Sequence, residues 1–201
     1  MRRLMIGWLA LLAACSNSNG PNSQLPVPTS QLHFVAQDTG APPLYSAADS
    51  FYAKVGDGRE LRLYYKDTIG GGTGEELLRF EVPGDGLLRK PGGGAFQTGD
   101  SILISVRVLD PKKFVFDFQP NGLQFSPEHP ARLKLEYRHS NHDFDEDGAI
   151  SAADTAIQSR LDLWRNAPPD TLWYKLGGVN FESLEELDAN IFHFTVHAVA
   201  W

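Results

Sequence analysis

Apolar and polar residues alternate with a period of two through most of the chain after residue 31. The segments "SFYAKV", "RELRLYYK", "ELLRFEV", "SILISVRV", "KFVFDFQ", "ARLKLEY", "LDLWR", "LWYKL" and "NIFHFTVHAVAW" are short and rich in β-branched and aromatic residues, and clusters of Gly, Pro, Asn or Asp separate them. Side chains on a strand point alternately to its two faces, so this pattern predicts half-buried strands, and their number and spacing predict an all-β antiparallel β-sandwich. The one segment with helical period is short and follows an acidic loop at residues 143–154. Residues 32–201 suit one sandwich domain, and residues 32–99 are read as its first strands because no linker divides them from the rest. The glycine stretches "IGGGTGEE" and "KPGGGAF" read as hairpin loops. Neither ends in Gly-Lys-Ser/Thr, and Glu75 and Glu76 would repel a phosphate. No Ser lies in a G-x-S-x-G elbow.

The first residues follow a different pattern. Arg2 and Arg3 precede an apolar run from Leu4 to Leu12, too short for the roughly 20 residues of a membrane span, so residues 1–14 read as an export signal. The stretch Leu12-Ala13-Ala14-Cys15 resembles the lipobox of bacterial lipoproteins, which implies cleavage before Cys15 and acylation of its thiol and new amine. Each buried methylene adds roughly 0.8 kcal/mol and several chains make attachment effectively permanent, so the membrane is an expected partner through lipid alone. Ser16 stands where Asp commonly retains such lipoproteins at the inner membrane, which by the same resemblance favours an outer membrane. Residues 15–31 carry the lipidated Cys and "SNSNGPNSQLPVPTSQ", a polar, proline-containing stretch expected to be a flexible tether spanning about 22 Å.

Cys15 is the only cysteine, so a lipidated chain has no free thiol and no disulfide. Removing residues 1–14 takes away two arginines and no acid, leaving 16 basic side chains against 25 acidic ones and moving the formal charge from −7 to −9. That balance argues against nucleic acid as a partner.

Residues 114–137, "FVFDFQPNGLQFSPEHPARLKLEY", place Pro120 and Gly122 as the second and fourth residues of a type I turn, while Pro127 and Pro130 delay pairing until "ARLKLEY". This order of strand, Pro-Gly turn, Leu-x-Phe, proline loop and strand resembles the ZU-five domain (zonula occludens, Unc-five) in its bacterial extracytoplasmic version. There a terminal His-Phe-Ser/Thr-x-x-Ala-Val strand follows two Trp-containing strands, as "HFTVHAVAW" here follows Trp164 and Trp173. The resemblance covers roughly residues 100–201 and implies a β-sandwich with no known chemistry.

Counted from Asp143, "DFDEDGAISAAD" puts Asp143, Asp145, Asp147, Ser151 and Asp154 at positions 1, 3, 5, 9 and 12, with Gly148 at 6. That is calcium-loop spacing, in which hard oxygen donors suit Ca²⁺. Ala149 would offer its carbonyl, Ile150 would point into the core and Glu146 would face solvent. Asp154 stands where EF-hands carry Glu, as in the dockerin loops this stretch also resembles; being shorter, it requires the loop to draw in. Ser151 and Asp154 form a helix-capping pattern, and Ala153, Ala156, Ile157 and Leu161 give the helix an apolar face. A strand leads into the loop, so residues 139–160 read as half an EF-hand inserted between two strands. The loop uses its ligands internally, which points to structural calcium. His139 and His142 in "HSNH" read as solvated.

In "FHFTVHAVAW", alternation assigns Phe192, Phe194, Val196, Ala198 and Ala200 to the core face. In some animal relatives of the ZU-five domain a His-Phe-Ser stretch cleaves itself, which by resemblance would make Thr195 a nucleophile assisted by His193. The expected function is a non-enzymatic, lipid-anchored module of the cell envelope that binds an envelope protein or glycan or serves as a scaffold; the alternative is a self-cleaving or metal-assisted hydrolytic enzyme.

Overall fold

A computed structural model describes residues 25–166 and 171–201. The export signal (1–14), Cys15 and the tether up to residue 24 lie outside the described residues. In chain order the strands are β1 (Val27–Pro28), β2 (Ala48–Lys54), β3 (Arg59–Lys66), β4 (Thr73–Val82), β5 (Leu87–Arg89), β6 (Ser101–Asp110) and β7 (Val115–Gln119). Then come β8 (Gln124–Phe125), β9 (Ala131–Glu136), helix α1 (Ala152–Gln158), β10 (Asp162–Asn166), β11 (Leu172–Lys175), β12 (Val179–Phe181), β13 (Glu186–Ile191) and β14 (Val196–Ala200).

The strands form an all-β sandwich of two antiparallel sheets. A seven-stranded sheet runs β1-β11-β10-β14-β7-β6-β2, a five-stranded sheet runs β12-β13-β9-β4-β3, and β5 and β8 make a small ribbon. The first part of the chain is shared between the sheets: β2 pairs with β6 at one edge, while β4 pairs with β9 in the other layer. In β3 the alternation is explicit, with Leu61, Leu63 and Tyr65 buried and Arg59, Glu60 and Lys66 exposed. Burial of these apolar faces from both sheets makes one core. Four phenylalanines mark its centre: Phe194 lies 5.3 Å from Phe80, 5.5 Å from Phe118 and 5.0 Å from Phe125, ring centre to ring centre.

Residues 190–201 depart from the sequence expectation. They are not one strand. The five-stranded sheet ends at Ile191 and the seven-stranded sheet resumes at Val196, so the chain changes sheets at residues 192–195. Phe194 is buried in the crossing, but Phe192 is exposed, and His197 and Val199 face the inter-sheet core in place of Val196 and Ala198. Ala198 and Ala200 lie on the opposite face with Trp164, Trp173 and Leu32. That second cluster exists because the N-terminal segment covers the outside of the seven-stranded sheet. Val27 and Pro28 pair with Trp173 and Leu172, and the Trp173 indole N–H donates to Thr29 Oγ1 at 3.0 Å. The stretch read as tether therefore ends before Val27 and not at residue 31. The Pro120 turn is also displaced by one residue: Leu123 N–H donates to the Pro120 carbonyl, and Gly122, at φ 83°, holds the third position, where a positive φ is needed.

Candidate metal centre

The acidic loop joins β9 to α1. Carboxylate oxygens of Asp143, Asp145 and Asp147 lie within 4.8 Å of one another, on a loop that bends sharply through Gly148 at φ 89°. Backbone amides hold them there. Asp147 N–H and Gly148 N–H donate to the two oxygens of Asp143 at 3.0 and 2.9 Å, and Ala149 N–H donates to Asp147 Oδ1 at 2.9 Å. An oxygen that accepts one N–H keeps a second lone pair, so these three side chains fit a hard divalent cation such as Ca²⁺.

The other two side chains of the calcium spacing are turned to a different task. Asp154 is buried; its Oδ1 accepts from Phe144 N–H and Asp145 N–H, at 2.7 and 3.2 Å, and its Oδ2 accepts from Ser151 N–H at 2.8 Å. Ser151 Oγ accepts from Ala153 N–H at 3.0 Å, completing the capping box of α1. Asp154 is thus the clamp that ties the start of the loop to the helix, and it is not among the converging carboxylates.

The two roles show in the acidities. Hydrogen bonds from Ser151, and then from Asp145 and Phe144, hold the Asp154 carboxyl below the ordinary carboxylate range. Its contribution to stability is present above that range and is lost as the pH falls through its folded pKa. Asp145 is pushed up, first by desolvation and further by Asp147, Asp154 and Asp143. Its contribution has the opposite sign and is lost as the pH rises, a repulsion that a bound cation would relieve.

Docking of the loop differs from expectation at three residues. Ile150 is 75% exposed, and Phe144 is the side chain driven into the core, 4% exposed and 5.9 Å from the Trp201 ring. A paired calcium loop would cover Ile150, but among the described residues this half-hand has no partner loop. Ala153 and Ala156 are exposed as well, leaving Ile157 and Leu161 as the apolar attachment of the helix. Its far end is tied down by polar contacts: Asn180 Nδ2 donates to the Gln158 carbonyl at 2.7 Å, and Tyr137 OH donates to Asn180 Oδ1 at 2.9 Å. Glu146 is exposed, as its position in the loop predicts.

The histidines are dispersed. His139 Nε2 meets Glu75 Oε2 at 2.6 Å and His142 Nε2 meets Glu185 Oε1 at 2.7 Å, so each is partly exposed and also paired with a carboxylate distant in the chain. His129 meets Asp85 at 3.1 Å. His197 is fully buried against Phe118, and Thr195 Oγ1 is buried without a hydrogen-bond partner, His193 included. Comparison with known proteins finds no match for this chain among protein-family models, curated proteins or solved structures.

Proposed function

We propose that the chain is a lipid-anchored, extracytoplasmic β-sandwich protein of the cell envelope, a non-enzymatic binding or structural module whose inserted loop is held by one Ca²⁺. The observation that carries this is the convergence of Asp143, Asp145 and Asp147 on a loop fixed at both ends, by Phe144 in the core and by the Asp154 clamp on α1. A bound cation would neutralise the repulsion among those carboxylates and keep α1 seated on Asn180. Asp143, Asp145 and Asp147 would be its side-chain ligands, with the Ala149 carbonyl as a further oxygen donor.

The ZU-five resemblance supplies the family proposed for the sandwich. The basic, apolar, Leu-Ala-Ala-Cys start supports the anchor, and Ser16 supports an outer-membrane address. The partner is proposed to be an envelope protein or glycan, while the acidic charge weighs against nucleic acid.

Cys15→Ala should move the protein from the detergent phase to the aqueous phase and remove acyl mass from the N-terminal peptide. Detergent partitioning that is unchanged, with no acyl mass on the wild-type peptide, would refute the anchor. For the ion, a lone extracellular-type loop binds Ca²⁺ at roughly 10⁻⁴ to 10⁻³ M, and saturation at one hundred times that constant adds about 2.7 kcal/mol. Chelation should therefore lower the melting temperature by about 5–10 °C, with the β signal retained below the transition.

A further inference from the structure

The sheets do not close over each other along one flank. Between the β10–β11 hairpin of the seven-stranded sheet and β13 and β9 of the five-stranded sheet lies an open groove of about 1000 Å³. This is the upper end of small-molecule binding volumes. Its charge is opposite to that of the chain. Arg79, Arg132, Lys134, Arg165 and Lys175 line it, five of the 18 basic residues, against Glu81 and Asp188, two of the 25 acidic ones.

Lys134, Lys175 and Arg79 are bound to carboxylates of the protein itself. Arg132 and Arg165 are not: among the described residues neither makes an ion pair, but Arg132 is exposed to water, whereas the Arg165 guanidinium lies 4.7 Å over the Tyr174 ring, where burial works against its charge. A half-buried guanidinium without a counter-anion is costly to keep.

Opposite Arg165 on the neighbouring strand stands His197, fully buried and part of the groove wall. Its Nδ1 lies 3.1 Å from the Thr195 carbonyl, which can only accept, so Nδ1 carries the proton. Burial pushes the imidazole down to about 3, which keeps the ring neutral and leaves Nε2 as an acceptor with no partner. A second buried atom without a partner, Asp188 Oδ1, lies on β13 across the groove. A buried polar group left unsatisfied costs about 1–3 kcal/mol, and of the seven such side-chain atoms among the described residues His197 Nε2 and Asp188 Oδ1 belong to residues that line this groove with Arg165.

We infer that this groove binds an acidic sugar, a hydroxylated carboxylate of the uronic-acid type, with its carboxylate on Arg165, a hydroxyl donating to His197 Nε2, and its ring against Ile191 and the half-exposed Phe192. The assignment follows from what the groove lacks. Arg165 asks for an oxyanion, His197 and Asp188 ask for O–H donors, and the apolar wall asks for a compact ring. A simple anion satisfies the first and a neutral sugar the second. The site is separate from the calcium loop, so its test is run with Ca²⁺ saturating and does not depend on the loop.

The full chain is titrated by calorimetry with glucuronate, acetate and glucose. Saturable glucuronate binding is expected, at least about tenfold tighter than either control. Arg165→Met should abolish it with the melting temperature unchanged or raised, because a desolvated charge is removed; Arg165→Lys should retain part of it. A linear trimer of uronic acid separates the sources: tighter binding than the monomer assigns a glycan chain, equal binding a free sugar acid. No saturable binding of glucuronate, equal affinity for acetate, or full affinity in folded Arg165→Met overturns the assignment.

Discussion

Phe194→Ala should destabilise the protein by about 3–5 kcal/mol, the largest loss expected from a single side chain here. Phe194 is 1% exposed and meets Phe80, Phe118 and Phe125, which belong to β4, β7 and β8, so one ring joins both sheets and the small ribbon. The backbone around it is equally committed: Phe194 N–H donates to the Leu123 carbonyl at 2.9 Å, and its own carbonyl accepts from Gly122 at 3.3 Å. Neighbours fixed by their own strands cannot collapse into the space, so the cavity cost adds to the lost transfer energy. Phe194→Leu should cost clearly less. Urea unfolding of the two variants checks this, and near-equal losses would mean that the ring does not join the layers.

Acid should begin to destabilise the protein well above the carboxylate range. Burial pushes His197 down to about 3, partly offset by its bond to Thr195, and pushes His193 down to about 4 with Arg165 adding to the effect. Both pKa values fall on folding, so below about pH 6.5 the unfolded chain takes up protons that the folded chain refuses, and stability falls with pH. The slope is about 1.4 kcal/mol per pH unit for a fully depressed imidazole. By pH 5 His197 alone should have cost about 2 kcal/mol, and His193, which is partly exposed, adds less in the same direction. His197→Asn keeps an amide donor near Nδ1 and removes the titration. It should lower stability at pH 7 and flatten the fall between pH 7 and pH 5. A pH slope unchanged in that variant would contradict the account.

The fold was legible where one sheet face is wet and the other dry. "RELRLYYK" and "ARLKLEY" wrote β3 and β9 almost residue for residue because their outward positions carry charges, and Lys134 of β9 bridges Glu136 at 3.2 Å and Glu186 at 2.6 Å. Alternation failed at residues 190–201 for two physical reasons. The chain changes sheets at residues 192–195, which resets the face that points inward. In β14, moreover, His197 to Ala200 are all buried, because the N-terminal segment covers the outer face, and a strand buried on both sides has no polar face to read. The acidic loop was legible from the spacing of Asp143, Asp145 and Asp147, but its docking was not. Ile150 takes its meaning from paired calcium loops, whereas Phe144, the one aromatic in the acidic run, carried the signal for burial. The groove could not be read at all, since Arg165, His197 and Asp188 come from three strands of two sheets.

The measurement that bears most directly on the central claim is a calorimetric titration of the full chain with Ca²⁺, beside the double variant Asp143→Asn, Asp147→Asn. One saturable site is expected in the wild type, with a dissociation constant of roughly 10⁻⁴ to 10⁻³ M and a matching rise in melting temperature. The double variant should give neither heat nor shift while keeping the wild-type β spectrum. A wild-type chain that gives no heat and no shift, or a double variant that binds as well as the wild type, would show that Asp143, Asp145 and Asp147 converge without holding an ion.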